Sequence, residues 1–220
     1  DRLIEYGGQN RSVFIDMPAA LSYPMNLKKY NWGYRAEPEP NLYGRSLICP
    51  RGKGLGGSSS INGMIYVRGH PQDFDNWSTK GASSWSFADV LPYFKKMECC
   101  ESRQSPWRGK NGPIHIKTAE QKNVLHKVFS DAAIQSGYSF TEDYNGYKQE
   151  GIGAAEMTIY KGERWSAAKG YLKNITKQKN ICIMTSCLAD KLLFLNNKCE
   201  GIIFKKQNES FLAKSKKGVI

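Results

Sequence analysis

The stretch Arg51-Gly52-Lys53-Gly54-Leu55-Gly56-Gly57-Ser58-Ser59-Ser60-Ile61-Asn62-Gly63 constrains this chain more than any other. Four glycines in six positions remove the Cβ atoms that hold a backbone away from its neighbours, so the chain here can turn sharply and approach a ligand closely. Three serines follow, and then the hydrophobic run Ile61 to Val67, which reads as the start of a buried helix. A glycine loop leading into a helix start presents unpaired N–H groups and the positive end of the helix dipole, which suits a phosphate or nucleotide. A Gly/Ser linker is the alternative, although linkers rarely run straight into Ile-Asn-Gly-Met-Ile-Tyr-Val.

Its 220 residues give the chain ample length for a core, as one large domain or two small ones. A hydrophobic content of 40% with 12% aromatics is that of a globular protein. No run of about 18 apolar residues predicts a membrane span, and no signal or transit peptide is recognisable. The chain opens on Asp1-Arg2-Leu3-Ile4-Glu5 without an initiator Met and closes on Lys217-Gly218-Val219-Ile220 as another strand begins, so it reads as an internal piece of a longer protein. The net charge of +12 is uneven: residues 161–220 hold 13 Lys/Arg against 4 Asp/Glu, a net of +9. Those lysines are scattered through apolar patterning with no stacking or zinc-finger motif, which favours a solvated surface over a nucleic-acid partner. Six cysteines (49, 99, 100, 182, 187, 199) show no C-x-x-C spacing, and His70, His115 and His126 lie far apart, so no metal site is expected. Sequons beginning at Asn10, Asn76, Asn174 and Asn208 lean towards a secreted, extracellular location.

Arg2–Glu5 reads as a strand running into Gly7-Gly8, and an acidic residue at such a strand end accepts hydrogen bonds from ribose hydroxyls in a dinucleotide-binding unit. Glu5 fits that role, and as an ordinary surface residue it would also be unremarkable. Residues 9–50 carry many aromatics and prolines, as an ordered covering loop does, with a short strand within Trp32–Glu37. Gly52, Gly54 and Gly57 satisfy G-x-G-x-x-G with Asp73 about 20 residues on. However, Pro50 closes the preceding run and Asp73 follows His70-Pro71-Gln72 instead of a strand, so this match reads as accidental. A P-loop fails too, because no Gly-Lys-Ser/Thr follows the glycines.

Ser86 and Asp89 form a capping-box pair that predicts a helix to Met97, although Pro92 weakens its interior. After a charged loop over 102–113, a strand is expected at Ile114–Lys117. Asn123–Gln135 is the best helix in the chain, with an apolar stripe of Val124, Leu125, Val128, Phe129 and Ala132 and a stop at Gly137. Ala154–Tyr160 reads as a strand, and Ser166 caps a helix through about Ile175. Strands at Ile181–Thr185, Lys191–Leu195 and Gly201–Lys205 make a β-meander. The class is α/β, mixed with α+β.

Together these residues resemble the glucose–methanol–choline (GMC) family of flavin oxidoreductases, particularly its glucose-dehydrogenase-like branch. Three segments carry the likeness: Gly52–Gly63 through Tyr66-Val67-Arg68-Gly69 to Asp73-Phe74-Asp75-Asn76-Trp77; Asp89–Glu98 followed by Gly112-Pro113-Ile114; and Gly162-Glu163-Arg164-Trp165-Ser166-Ala167-Ala168-Lys169 with the meander after it. Tyr30-Asn31-Trp32-Gly33-Tyr34 with Glu37-Pro38 adds to it. The resemblance implies an incomplete FAD-binding, Rossmann-like domain with inserted substrate-domain segments. Its FAD-binding part would cover residues 1–75 with a lid at about 25–50, mixed segments would follow over 76–165, and 166–220 would return to the FAD domain.

By the same resemblance Glu5 holds the adenosine ribose. Ser58, Asn62, Gly63, Met64 and Ile65 line the pyrophosphate and flavin, largely through backbone groups. Ala189 meets the adenine edge where the family commonly has Val. Ile61 stands where some members attach the flavin through His, which implies non-covalent FAD. The implied reaction oxidises a CH–OH group of a small alcohol or sugar, with hydride passing to the flavin and oxygen or a quinone as the final acceptor. The family's catalytic His falls beyond Ile220, and none of His70, His115 or His126 matches it. A degenerate, non-catalytic binding module is the alternative. The 220-residue segment by itself is therefore expected to bind FAD weakly or not at all and to turn over no alcohol. Stoichiometric yellow flavin with dye reduction on sugars would contradict this.

Overall fold

The computed structural model describes residues 1–103, 105–175 and 178–220. Gln104, in the loop expected at 102–113, and Thr176, in the sequon at Asn174, lie outside them. In chain order the elements are β1 (Arg2–Ile4), α1 (Val13–Asp16), α2 (Ser22–Asn26), β2 (Tyr34–Arg35), β3 (Ile48–Cys49), α3 (Pro71–Thr79), α4 (Phe87–Met97), β4 (Glu98–Cys100), β5 (Ile114–Thr118) and α5 (Val124–Gln135). They continue as β6 (Glu156–Met157), β7 (Ile159–Tyr160), β8 (Glu163–Arg164), β9 (Cys182–Met184), β10 (Leu188–Leu195), β11 (Lys198–Lys206) and β12 (Glu209–Lys214). Contacts divide this mixed α/β chain into two units, residues 1–62 with 166–220 and residues 63–165. No described helix is long and apolar enough to cross a membrane.

In the first unit β1 lies parallel to β9, with Arg2 opposite Cys182 and Ile4 opposite Met184. β10, β11 and β12 form the antiparallel meander. Its two turns place Asn196, Asn197, Gln207 and Asn208 at positive φ, as two-residue hairpins of right-handed twist require. Cys187, Phe204 and Ala213 pack with Ile4, Met184 and Ile202 into one core, and Ile15, Tyr30 and Ile61 pack with Met25 into another. The expected meander is one strand out of register with the chain. Residues 181–185 pair with β1 instead, because Ser186 turns at φ 58 and the Ser186 and Cys187 amides donate to Gly7 O and Glu5 O. The third meander strand is β12, which buries only Ala213 and so lacks the apolar alternation that marks a strand. The helix after Ser166 is reduced to a π-helical turn at Ala168–Leu172, with Ser166 Oγ accepting from Lys169 N at 3.3 Å.

In the second unit α3 and α4 both start on capping boxes, His70 with Asp73 and Ser86 with Asp89. Asp73 therefore serves a helix end, in keeping with the accidental reading of the G-x-G-x-x-G match. The Phe74 ring meets Trp77 at 5.2 Å and Phe94 at 5.6 Å, which joins the two helices. β4 pairs in parallel with β5, and β5 antiparallel with β6. Cys100, Ile114, Ile116 and Tyr66 form the core beneath them. α5 ends where Gly137 adopts φ 91, but its expected stripe is not buried: Val124 is 70% and Phe129 68% exposed. The helix periodicity was local, and no described element covers that face.

The run Ile61–Val67 is not a helix. Met64 takes φ 64, Ile65 bridges Met157, Tyr66 N donates to Glu156 O and Thr158 N to Met64 O, both at 2.8 Å. From Met64 to Arg68 the side chains alternate buried and exposed, the period of an extended strand. A four-residue 3-10 turn at Gly57–Ser60 stands where a helix start was expected, so the helix-dipole argument for a phosphate falls away.

This extended strip is held by buried charge. The Arg108 guanidinium donates to Glu98 Oε1 at 2.9 Å, to Glu156 Oε1 and Oε2 at 2.9 Å each, and to Asp143 Oδ1 at 2.7 Å. Arg68 Nη2 lies 2.7 Å from Glu98 Oε1. Asn145 Nδ2 bridges Glu156 Oε2 and Tyr66 O. Two fully buried glutamates thus face two buried arginines, which satisfies the condition for keeping charge out of water. Burial is the largest influence on Glu98 and pushes its carboxyl up. The Arg108 hydrogen bonds, the Gly109 N–H and the charges of Arg108 and Arg68 outweigh it and hold Glu98 below the ordinary carboxylate value of 4.5.

Replacing Arg108 by Ala leaves two buried carboxylates short of a partner and is expected to cost about 3–5 kcal/mol in urea denaturation. Because the folded value for Glu98 lies below its unfolded one, its stabilisation is complete above pH 4.5 and is lost as pH falls further through the folded value. Denaturation midpoints for the wild type should therefore drop between pH 5 and pH 3 more steeply than those of Glu98→Gln.

Candidate cofactor site

Glu5 ends β1 in the first unit. Its Oε1 accepts from Gly7 N and from Gly54 N, both at 2.7 Å, while no described residue donates to Oε2. The carboxylate is thus half used, and it ties the strand end to the glycine loop. That approach needs glycine on both sides. A Cβ on Gly7 would stand 2.3 Å from Gly54 N, and one on Gly54, at φ 122, would stand 2.0 Å from Asn10 Oδ1. Cβ directions at Gly8 and Gly57 meet nothing within 4 Å, so at these points backbone is open to an incoming group.

The three serine hydroxyls each make a hydrogen bond that ties the loop to itself or to the segment after Ser166. Ser58 Oγ accepts from Gly52 N at 3.0 Å, Ser59 Oγ accepts from Ala167 N at 2.9 Å, and Ser60 Oγ donates to Leu55 O at 2.8 Å. Ser58 is exposed, and its hydroxyl, which accepts from Gly52 N, retains its proton to donate. Asn62 is exposed at the end of this turn, with its N–H on Ser58 O. Ala189 is exposed in β10 opposite Phe204, at a β-bulge, two residues after Cys187, whose amide donates to Glu5 O at 2.9 Å. Glu5, the glycine loop and the β9–β10 connection thus meet within one unit.

Gly63, Met64 and Ile65 open the second unit. Met64 is buried, while Gly63 has no atom within 4 Å of a Cβ position and Ile65 is half exposed along the extended strip. The three histidines stand apart: His70 Nδ1 accepts from Gln72 N at the start of α3, His126 is exposed on α5, and His115 stacks on Tyr160 with ring centroids 3.7 Å apart. Two features escaped the sequence reading. One is the stack of Tyr6, Trp32 and Tyr34, with centroids 4.9 and 6.0 Å apart and Lys53 Nζ 5.5 Å from the Tyr6 ring, which borders the glycine loop. The other is the buried charge network behind the strip, whose hydrogen-bonded members stand 10 to 79 residues apart and share no motif. An acceptor oxygen without a partner beside open glycine backbone fits the ribose and pyrophosphate of a dinucleotide.

The family profile described as GMC oxidoreductase matches residues 1–220. The oxygen-dependent choline dehydrogenase of Rhizobium etli is 49% identical over 218 residues, 99% of this chain and 40% of that protein. Pyridoxine 4-oxidase from Mesorbium loti superposes with a TM-score of 0.91 at 29% identity, covering 97% of this chain and 42% of that one. A variant of the Aspergillus oryzae formate oxidase studied for FAD modification superposes at 0.86 with 26% identity, covering 98% and 39%. This chain thus spans about 40% of the length of the curated relative it matches. It belongs to the GMC oxidoreductase family and corresponds to that family's N-terminal, FAD-binding domain.

Proposed function

We propose that this protein oxidises the CH–OH group of a small-molecule alcohol with bound FAD, and that Glu5 anchors the cofactor. The half-used carboxylate carries this reading: Oε1 is committed to Gly7 and Gly54, which leaves Oε2 to accept from the ribose hydroxyls of the adenosine half. The backbone of Ser58, Asn62, Gly63, Met64 and Ile65 lines the pyrophosphate and flavin, and the backbone of Ala189 meets the adenine edge. FAD is held non-covalently, because Ile61 occupies the attachment position and is 2% exposed, packed against Ile15 and Tyr30. Residues 25–50 act as the covering segment. Bound FAD supplies the hydride acceptor.

Choline is the first alcohol to test, since the 49% identical relative bears that name, with sugars as the second class. The name of that relative favours oxygen over a quinone as the electron acceptor.

Glu5→Gln in the full-length protein separates anchoring from architecture. A glutamine oxygen still accepts from Gly7 and Gly54, but its NH2 cannot accept from a ribose hydroxyl. Losing a hydrogen bond to a charged acceptor costs about 1.5–3 kcal/mol, so FAD affinity should fall roughly 10- to 100-fold while the melting temperature of the FAD-free protein changes little. Unchanged FAD affinity would refute the anchoring role.

A further inference from the structure

Parallel pairing of β4 with β5 places Cys99 directly opposite His115. Residues opposite each other in a ladder share a face, and so do residues two apart on one strand. Cys99 and His115 therefore project together, on the face away from the Cys100, Ile114 and Ile116 core, and Glu101 follows in the turn just after β4. Cys99 Sγ, a Glu101 carboxylate oxygen and a His115 ring nitrogen all lie within 4.8 Å of one another, and Cys99 Sγ is 4.0 Å from Glu101 Oε1.

We propose that Cys99, Glu101 and His115 form a binding site for a borderline-soft divalent cation, Zn2+ by its ligand chemistry. Zn2+ takes thiolate, imidazole and carboxylate at about 2.0–2.3 Å in tetrahedral geometry, so neighbouring ligand atoms must close to about 3.3–3.6 Å. Glu101 makes that adjustment, because it is exposed and forms no ion pair with a described residue. The imidazole is already oriented: it is stacked on Tyr160 and meets Trp165 edge-on at 5.2 Å, and neither ring nitrogen has a hydrogen-bond partner among the described residues. The thiol now donates to Lys110 O at 2.8 Å. On binding, its proton passes to water and the thiolate takes the metal, so thiolate and carboxylate together balance the 2+ charge beside a neutral imidazole. Three protein ligands leave the fourth position to water. Sulfur and nitrogen ligands disfavour Ca2+ and Mg2+, which want oxygen. The absence of any metal-ligand spacing in the sequence is no obstacle, since the ligands meet only through the strand register.

The test uses the full-length, FAD-loaded protein. Zn2+ calorimetry should give one ion per chain. Co2+ difference spectra, in which the flavin absorbance cancels, should show a near-ultraviolet sulfur-to-cobalt charge-transfer band. Cys99→Ser should abolish the band, and Cys182→Ser, at an exposed cysteine, should keep it. Glu101→Gln should weaken Zn2+ binding at least ~10-fold, and because Glu101 is exposed this variant decides the matter even if Cys99→Ser fails to fold. No band in the wild type, a band that survives Cys99→Ser, or Glu101→Gln binding as tightly as the wild type would each overturn the proposal.

Discussion

The second unit closes on one guanidinium. Arg108 reaches both buried glutamates and Asp143, and the backbone of its neighbour Gly109 adds a further donor to Glu98. Charge in such a place is tolerable only when it is matched and every oxygen is bonded, and that condition fixes where the attached segments can lie. Glu98 belongs to β4 and Glu156 to β6, and Asp143 and Asn145 come from the loop between α5 and β6. Through Glu156 O and Asn145, the same network fixes the carbonyl and amide of Tyr66. The strip that presents Gly63, Met64 and Ile65 thus takes its place from groups far from it in sequence.

A carboxylate plays the corresponding part in the first unit, with a different outcome. Among the described residues no cation pairs with Glu5. It is satisfied on one oxygen by two backbone amides, and the second oxygen remains open. Two backbone amides on one oxygen fix where the carboxylate lies while leaving its other oxygen able to accept. The glycines around it serve close packing more than freedom: Gly7 and Gly54 are in contact at distances that no Cβ would survive. The loop is held in shape by Glu5 and by the hydrogen bonds of its three serine hydroxyls.

Local sequence signals and structure agree where the physics is local. The Ser86–Asp89 box starts α4, Asn123 and Gly137 bracket α5, and the edges of β5 fall within a residue of expectation. Structure and local pattern part where the pattern is ambiguous or where burial depends on a distant element. Ile61–Val67 contains enough apolar residues for either a helix or a strand, and Gly63 with Met64 at positive φ decided for the strand. The apolar stripe of α5 is real as a pattern and exposed in fact, since periodicity reports which side is apolar and not what covers it.

The order of residues alone determined the family, through the glycine-serine stretch and the segments around Asp89 and Arg164, and with it the cofactor class and the candidate residues Glu5, Ser58, Asn62, Gly63, Met64, Ile65 and Ala189. Ser58 to Ile65 are legible because a glycine-serine stretch running into Ile-Asn-Gly is a compact local pattern. Only the tertiary structure decided that Glu5 keeps one oxygen open, that Glu98 and Glu156 share Arg108, and that Cys99 stands across from His115. Each of these depends on strand pairing or charge matching between distant segments. Such contacts are selected by the free energy of the whole fold, chiefly backbone hydrogen bonding and the cost of burying an unmatched charge, and leave no periodic trace along the chain.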